Sequence, residues 1–178
     1  MRGRMRRQIF RGRILDVGVE EVTLPNGARV ELEVIRHPGA AAVAAVDEQR
    51  RVVLIHQFRH AAGGFVWELP AGVLDAPEEA PVQCAERELR EETGLDAACF
   101  TPLGMVMPTP GYSDERIHLF LAEGLTDGEH DRGHDEVIQE IRRVPLADAV
   151  RMVRAGEIVD SKTVAGLFLA AATLGVAA

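Results

Sequence analysis

Three carboxylates in this chain are spaced to act together. Glu88, Glu91 and Glu92 lie at i, i+3 and i+4 in Arg87-Glu88-Leu89-Arg90-Glu91-Glu92-Thr93-Gly94-Leu95. On a helix they share one face. Like charges at those spacings repel by roughly 0.2–0.5 kcal/mol per pair. A hard divalent cation relieves that repulsion, and Mg²⁺ in particular takes oxygen ligands and keeps waters that a phosphate can displace. Three glutamates alone more often make a solvated acidic face, so the neighbouring residues decide between the two readings.

Those neighbours favour a site. Val82, Ala85 and Leu89 make an apolar stripe at +3 and +4 spacing, and the glutamates run beside it rather than opposite, along the edge of a cleft. Arg87 precedes Glu91 by four residues and can hold it. Pro77 and Pro81 are tolerable only in a first turn, which puts the helix start near Glu79 to Pro81, and Gly94 closes it as a left-handed cap. Upstream, Trp67 to Gly72 reads as a strand end running into a loop. Gly72 lets the backbone approach a ligand closely, and the Ala71 carbonyl can join the carboxylates. Cys84, on this helix, reads as packing rather than catalysis.

This segment resembles the Nudix box: Gly, five residues, Glu, seven residues, then Arg-Glu-aliphatic-any-Glu-Glu-any-Gly-aliphatic. The second half matches fully from Arg87 to Leu95. The first half carries one extra residue. Five residues separate Gly72 from Glu78, but eight then precede Arg87; counting from Glu79 restores the seven and makes the first gap six. Either glutamate can fill the outer position.

The rest of the chain must build the frame for that helix. Residues 9–36 alternate in short β-prone runs around Pro25-Asn26-Gly27. Ala40 to Asp47 and Val52 to Phe58 are buried strands joined by a turn at Asp47 to Arg50, and Phe65 to Leu69 is a short strand. Phe100 to Met107 and Arg116 to Ala122 are strands flanking a Pro108-Thr109-Pro110-Gly111 loop. A polar stretch from Gly124 to Asp135 precedes a last strand, Val137 to Val144. An amphipathic helix spans Leu146 to Arg154, and Asp160 or Ser161 caps a final helix to about Leu174. The pattern is α/β. The resemblance implies a Nudix α/β/α sandwich with a mixed sheet, plus an N-terminal β-strand region. Residues 1–36 would be an arm and strands for dimerisation, and 37–178 the hydrolase domain.

Composition sets limits. The 178 residues suit one sizeable core, and 47% apolar content with mean hydropathy near zero fits a globule. No apolar run reaches membrane-spanning length. Two cysteines make no disulfide framework and have no zinc-type spacing. Met1 to Arg13 holds six arginines and no apolar segment, which argues against a secretory signal and for a cytoplasmic protein. A solvated terminus or dimer arm explains that basic tail better than nucleic acid, since the net charge is −8. No nucleic-acid or membrane partner is expected.

The resemblance implies hydrolysis of a nucleoside diphosphate linked to another group. Other segments narrow the group. Pro110-Gly111 lies fifteen residues beyond Leu95, a distance similar to that in the ADP-ribose pyrophosphatase branch. His56-Gln57-Phe58-Arg59, Val144-Pro145-Leu146, Gly156-Glu157-Ile158 and Asp160-Ser161-Lys162-Thr163 resemble other segments of that branch. The resemblance implies Mg²⁺-dependent cleavage of ADP-ribose to AMP and ribose 5-phosphate, by a homodimer. Two or three ions would be held by Glu88, Glu92 and the Ala71 carbonyl, with Glu91 on a second ion or one shell out; Mn²⁺ is the alternative metal. Arg87 orients the glutamates. Arg59 pairs with a diphosphate oxygen, and Glu68, Val73, Pro110 and Gly111 line the substrate. Glu136, from the acidic loop before the last strand, supplies the base and a further metal contact, with Asp135 as runner-up and His134 as a proton acceptor near neutral pH. Glu115 holds the terminal ribose hydroxyls, with base as its second role. Phe10 and Phe65 are possible adenine-stacking residues, with packing the default for both. Two rival readings remain: a pyrophosphatase of nucleotide sugars such as UDP-glucose or GDP-mannose, and a non-catalytic nucleotide sensor. A hydrolase of oxidised dGTP is disfavoured by the Pro110 loop.

Overall fold

The computed structural model describes residues 6–74, 78–128 and 137–177. The first three strands, β1 (Arg6–Arg11), β2 (Asp16–Thr23) and β3 (Arg29–Arg36), form their own antiparallel sheet in the order β1-β2-β3. Its β2–β3 turn is centred on Asn26-Gly27, with Leu24 and Ala28 bonded across it. Charge holds the sheet together. Glu20 is buried and accepts from Arg36, with Arg6 beside it. Its apolar residues are not buried: Phe10 is 58% exposed, and Ile9 and Leu32 are also open.

The body is a three-layer sandwich. Next come β4 (Ala40–Ala45), β5 (Arg51–Arg59), a short 3₁₀ turn (His60–Ala62), β6 (Gly64–Glu68) and β7 (Ala71–Val73). They are followed by α1 (Pro81–Thr93), β8 (Leu95–Val106), β9 (Ile117–Asp127), β10 (Ile138–Pro145), α2 (Leu146–Ala155) and α3 (Ser161–Leu174). The strands make a four-stranded mixed sheet, β7-β4-β9-β8, and a three-stranded antiparallel one, β10-β5-β6. Only β4 and β9 run parallel in the first. Strand β4 reads Ala-Ala-Ala-Val-Ala-Ala and every residue is buried. A central strand covered on both faces needs no polar alternation, and small side chains let helices come close on both sides. Ala41, Val43 and Ala45 meet Ala85 and Leu89 of α1 on one face. Ala44 on the other face joins Leu146, Val150, Leu167 and Ala170 of α2 and α3.

The structure corrects four sequence boundaries. The stretch from Trp67 to Gly72 is not a strand end entering a loop. Chain leaves β6 at Glu68, passes Leu69-Pro70, and pairs again as β7, with Ala71 opposite Ala42 and Gly72 opposite Ala41. It thereby crosses from one sheet to the other, and the Pro70 carbonyl accepts from Val43 N–H. Strand β8 begins at Leu95 rather than Phe100, and β9 continues to Asp127 rather than ending at Ala122, because Leu95 to Cys99 ladders against Glu123 to Asp127. That extension mixes Leu95, Ala97 and Leu125, which pack on the core, with Asp96, Glu123, Thr126 and Asp127, and it holds Gly124, so it carries no clean strand-like pattern. Strand β4 ends at Ala45, with Val46 and Val52 forming a lone bridge before the turn. In that turn the Asp47 carboxylate accepts from the Gln49 and Arg51 amides.

Candidate active site

Helix α1 is seated by its ends and by two glutamates. Gln83 accepts from the Ala80 amide at the start, and Gly94, left-handed at φ 69°, returns its N–H to Arg90. Glu92 is 0% exposed, and its Oε2 accepts the Ala71 amide at 2.8 Å. Glu88 is also buried and lies directly over Gly72. A Cβ there would fall 1.9 Å from Glu88 Oε1, so only glycine lets this carboxylate meet the β7 backbone. The two glutamates therefore bracket the Ala71-Gly72 peptide.

Arg87 gathers the remaining acids. Its Nε and Nη2 donate to the two Glu79 oxygens at 2.9 and 3.1 Å. Its Nη1 donates to Glu91 at 3.1 Å and to Glu88, and Nη2 also reaches the Val73 carbonyl at 3.3 Å. Glu79, and not the exposed Glu78, therefore occupies the outer acidic position on this arginine. The Arg87 hydrogen bonds hold the Glu79 carboxyl below the ordinary carboxylate range, and they raise Arg87 further above its own high value. Cys84 packs beneath them, buried and 3.6 Å from the Gly72 and Val73 carbonyls. Burial, with Glu88 close by, pushes its thiol up to about 12, which makes it inert as a nucleophile at neutral pH.

The donor set suits a hard divalent cation: buried carboxylates 88 and 92, a half-exposed Glu91 and backbone carbonyls on β7. Among the described residues no three acidic, histidine or cysteine side chains already converge at ligating distance. Arg87 holds both Glu88 and Glu91 through Nη1.

A second cluster joins β5, β6 and α3. Arg59, at the end of β5, donates Nε and Nη2 to the two oxygens of Glu68 on β6, at 3.0 and 2.8 Å. Glu68 is buried and also accepts Lys162 from the start of α3. Gln57, two residues before Arg59, is buried, and its side-chain oxygen has no hydrogen-bond partner among the described residues. Sequence patterns single out neither Gln57 nor the Glu68–Lys162 contact; the latter joins positions 94 residues apart.

The loop between β8 and β9 carries Pro110 and Gly111, both exposed, and closes through Tyr112 and Ser113 amides on the Thr109 carbonyl. It is latched to the N-terminal sheet. Ile35 donates to the Tyr112 carbonyl at 2.7 Å, and Asp114 accepts from Arg36 and from the His37 amide at 2.8 and 3.0 Å. Glu115 lies half-buried 3.8 Å from His37 Nδ1. Phe65 packs edge-on against Phe58 and tilts against His56, and remains 40% exposed. Glu136, with Asp135 and His134, lies outside the described residues.

The chain matches the NUDIX domain model over residues 35–166. It belongs to the Nudix family. Across 157 residues it is 42% identical to an ADP-ribose pyrophosphatase of Bacillus subtilis, covering 88% of this chain and 84% of that protein. It is 40% identical to an ADP-ribose pyrophosphatase of Mycobacterium tuberculosis, covering 88% and 76%. A solved structure described as an ADP compounds hydrolase superposes with a TM-score of 0.81 at 22% identity, covering 99% of this chain and 98% of the other. That last likeness establishes the Nudix fold. The family's chemistry is hydrolysis that depends on divalent metal, and the α1 carboxylates sit where the box motif places them.

Proposed function

We propose that this Nudix enzyme hydrolyses ADP-ribose to AMP and ribose 5-phosphate with Mg²⁺. The observation that carries the reading is the pair Glu88 and Glu92 seated on the Ala71-Gly72 peptide, with Glu88 held by Arg87. Relatives 40–42% identical bear the name ADP-ribose pyrophosphatase, which supports the substrate. Glu88, Glu92 and the Ala71 carbonyl would hold Mg²⁺, or Mn²⁺ in its place, with Glu91 serving a further ion. Bound there, two or three such ions would supply charge neutralisation for a diphosphate and activation of a water.

The side chains do the positioning. Arg87 keeps the glutamates together until an ion competes for them. Arg59 offers a planar guanidinium fork to a diphosphate oxygen. Val73, Pro110 and Gly111 line the substrate, and Glu115 takes ribose hydroxyls. Glu136 accepts the proton of the attacking water. We further read the protein as a homodimer joined through residues 1–36, since Ile9, Phe10 and Leu32 present apolar surface that one subunit leaves uncovered. Both cysteines are free, which suits the reducing cytoplasm.

The test is a substrate panel of ADP-ribose, UDP-glucose, GDP-mannose, diadenosine polyphosphates and oxidised dGTP, with kcat/KM measured for each. ADP-ribose should rank first. A higher kcat/KM for a nucleotide sugar makes the chain a nucleotide-sugar pyrophosphatase, and binding without turnover makes it a sensor. Within the same assay, Glu136→Gln should lower kcat far more than it raises KM. If Glu115→Gln abolishes kcat and Glu136→Gln does not, Glu115 is the base.

A further inference from the structure

Lys162 is the only lysine in the chain, and it is not a surface charge. Its side chain is 11% exposed, and Nζ donates to Glu68 Oε2 at 2.7 Å and to Asp160 Oδ2 at 3.0 Å. Glu68 Oε2 is shared: it also accepts Arg59 Nη2 at 2.8 Å, while Oε1 accepts Arg59 Nε at 3.0 Å. At the far end Asp160 is fixed. It caps α3 through the Thr163 amide at 3.0 Å and accepts the Thr163 hydroxyl at 2.6 Å; that hydroxyl in turn accepts the Leu69 amide at 2.8 Å. A continuous relay thus runs from the N-terminus of α3 to β6 and out to Arg59. The middle of the relay is the most enclosed, with Lys162 11% and Glu68 4% open, while Asp160 is 21% and Arg59 40% open. The Arg59 end is the most exposed.

We propose that Lys162 is a positioning residue for Arg59, acting through Glu68 to fix the guanidinium in the pose that meets a substrate phosphate. This rests on the reading of Arg59 as a diphosphate contact. Two parallel hydrogen bonds to Glu68 hold the guanidinium plane only if the carboxylate plane is itself held. The carboxylate is held by Lys162, which is tethered to a helix cap. Without Lys162 the shared oxygen has no anchor on the α3 side, and Glu68 can rotate with Arg59 attached. The loss is one of ground-state and transition-state binding alike, so it shows in KM rather than kcat.

The experiment is a double-mutant cycle on the full chain with ADP-ribose, using Lys162→Met, Arg59→Met and the pair, with melting curves alongside. Lys162→Met should raise KM about tenfold and change kcat by less than about threefold, the scale of one charge-assisted contact. Lys162→Arg should recover part of the affinity. In the Arg59→Met background, Lys162→Met should add nothing. If Lys162→Met does not fold, Lys162→Ala, which also removes the donor to Glu68, carries the same comparison. Unchanged KM in Arg59→Met sinks the phosphate reading of Arg59 and the inference with it. A raised KM in Arg59→Met with additive effects, or with no effect of Lys162→Met, overturns the positioning role alone.

Discussion

At the scale of single residues, the site is built from buried carboxylates whose charge is answered by few cations. Glu88, Glu91 and Glu79 share one arginine, and Glu68 is answered by Arg59 and Lys162. Gly72 is the residue that lets this pack. Adding a methyl there drives Glu88 off the β7 backbone or moves the strand. Gly72→Ala should therefore lower kcat/KM by at least ~10-fold and raise the Mg²⁺ concentration needed for half-maximal rate, a loss of metal stabilisation. Activity assays across a Mg²⁺ titration check it, and an unaltered titration would show that Glu88 does not depend on this approach. Much at this scale is legible in the sequence. The i, i+3, i+4 glutamates need only a helical period to share a face, and Gly94 ends the helix where it should. Partner choice is not legible. Nothing local to Arg59 says that it lies against Glu68, and nothing in Asp160-Ser161-Lys162-Thr163 points to a strand 94 positions earlier.

At the scale of elements, the crossing at Leu69-Pro70 and the cap of α3 do the placing. The proline ends one pairing, and β7 begins another that delivers the Ala71-Gly72 peptide to α1. A strand three residues long cannot be recognised from periodicity, so the sequence suggests a loop there. The β8–β9 extension is missed for a related reason: Asp96, Gly124, Thr126 and Asp127 interrupt the apolar residues that its ladder pairs. Helix α3 is legible through Asp160, whose side chain takes the Thr163 amide. Burial raises the Asp160 carboxyl, but Lys162 and the Thr163 bonds outweigh it and leave it below its usual value. Removing such a cap costs about 0.5–2 kcal/mol. Asp160→Ala should lie at the upper end of that range, because the same carboxylate also takes Lys162 and the Thr163 hydroxyl. A chemical denaturation series reads this directly, and a change under a few tenths of a kcal/mol would mean the relay is not anchored at α3.

At the scale of the molecule, two parts of different character meet. The sandwich buries a continuous apolar core on both sides of β4, whereas the β1-β2-β3 sheet buries a charge network and exposes its large apolar residues. That contrast suits a sheet completed by a second subunit. Deleting residues 1–36 should give a monomer, or an insoluble chain, with poor substrate affinity; sedimentation at micromolar concentration distinguishes these from the proposed full-length dimer, and a full-length monomer contradicts that proposal. The central claim is that the α1 carboxylates drive metal-dependent cleavage of ADP-ribose. Its most direct test is the rate of AMP release from ADP-ribose at saturating Mg²⁺ by the natural chain and by Glu92→Gln. Glutamine keeps the volume and an oxygen for the Ala71 amide, so the fold should be retained while the charge proposed to bind metal is removed. The account predicts a loss of at least ~10²-fold in kcat, with AMP and ribose 5-phosphate as the wild-type products; a folded Glu92→Gln enzyme releasing AMP at near the natural rate would contradict it.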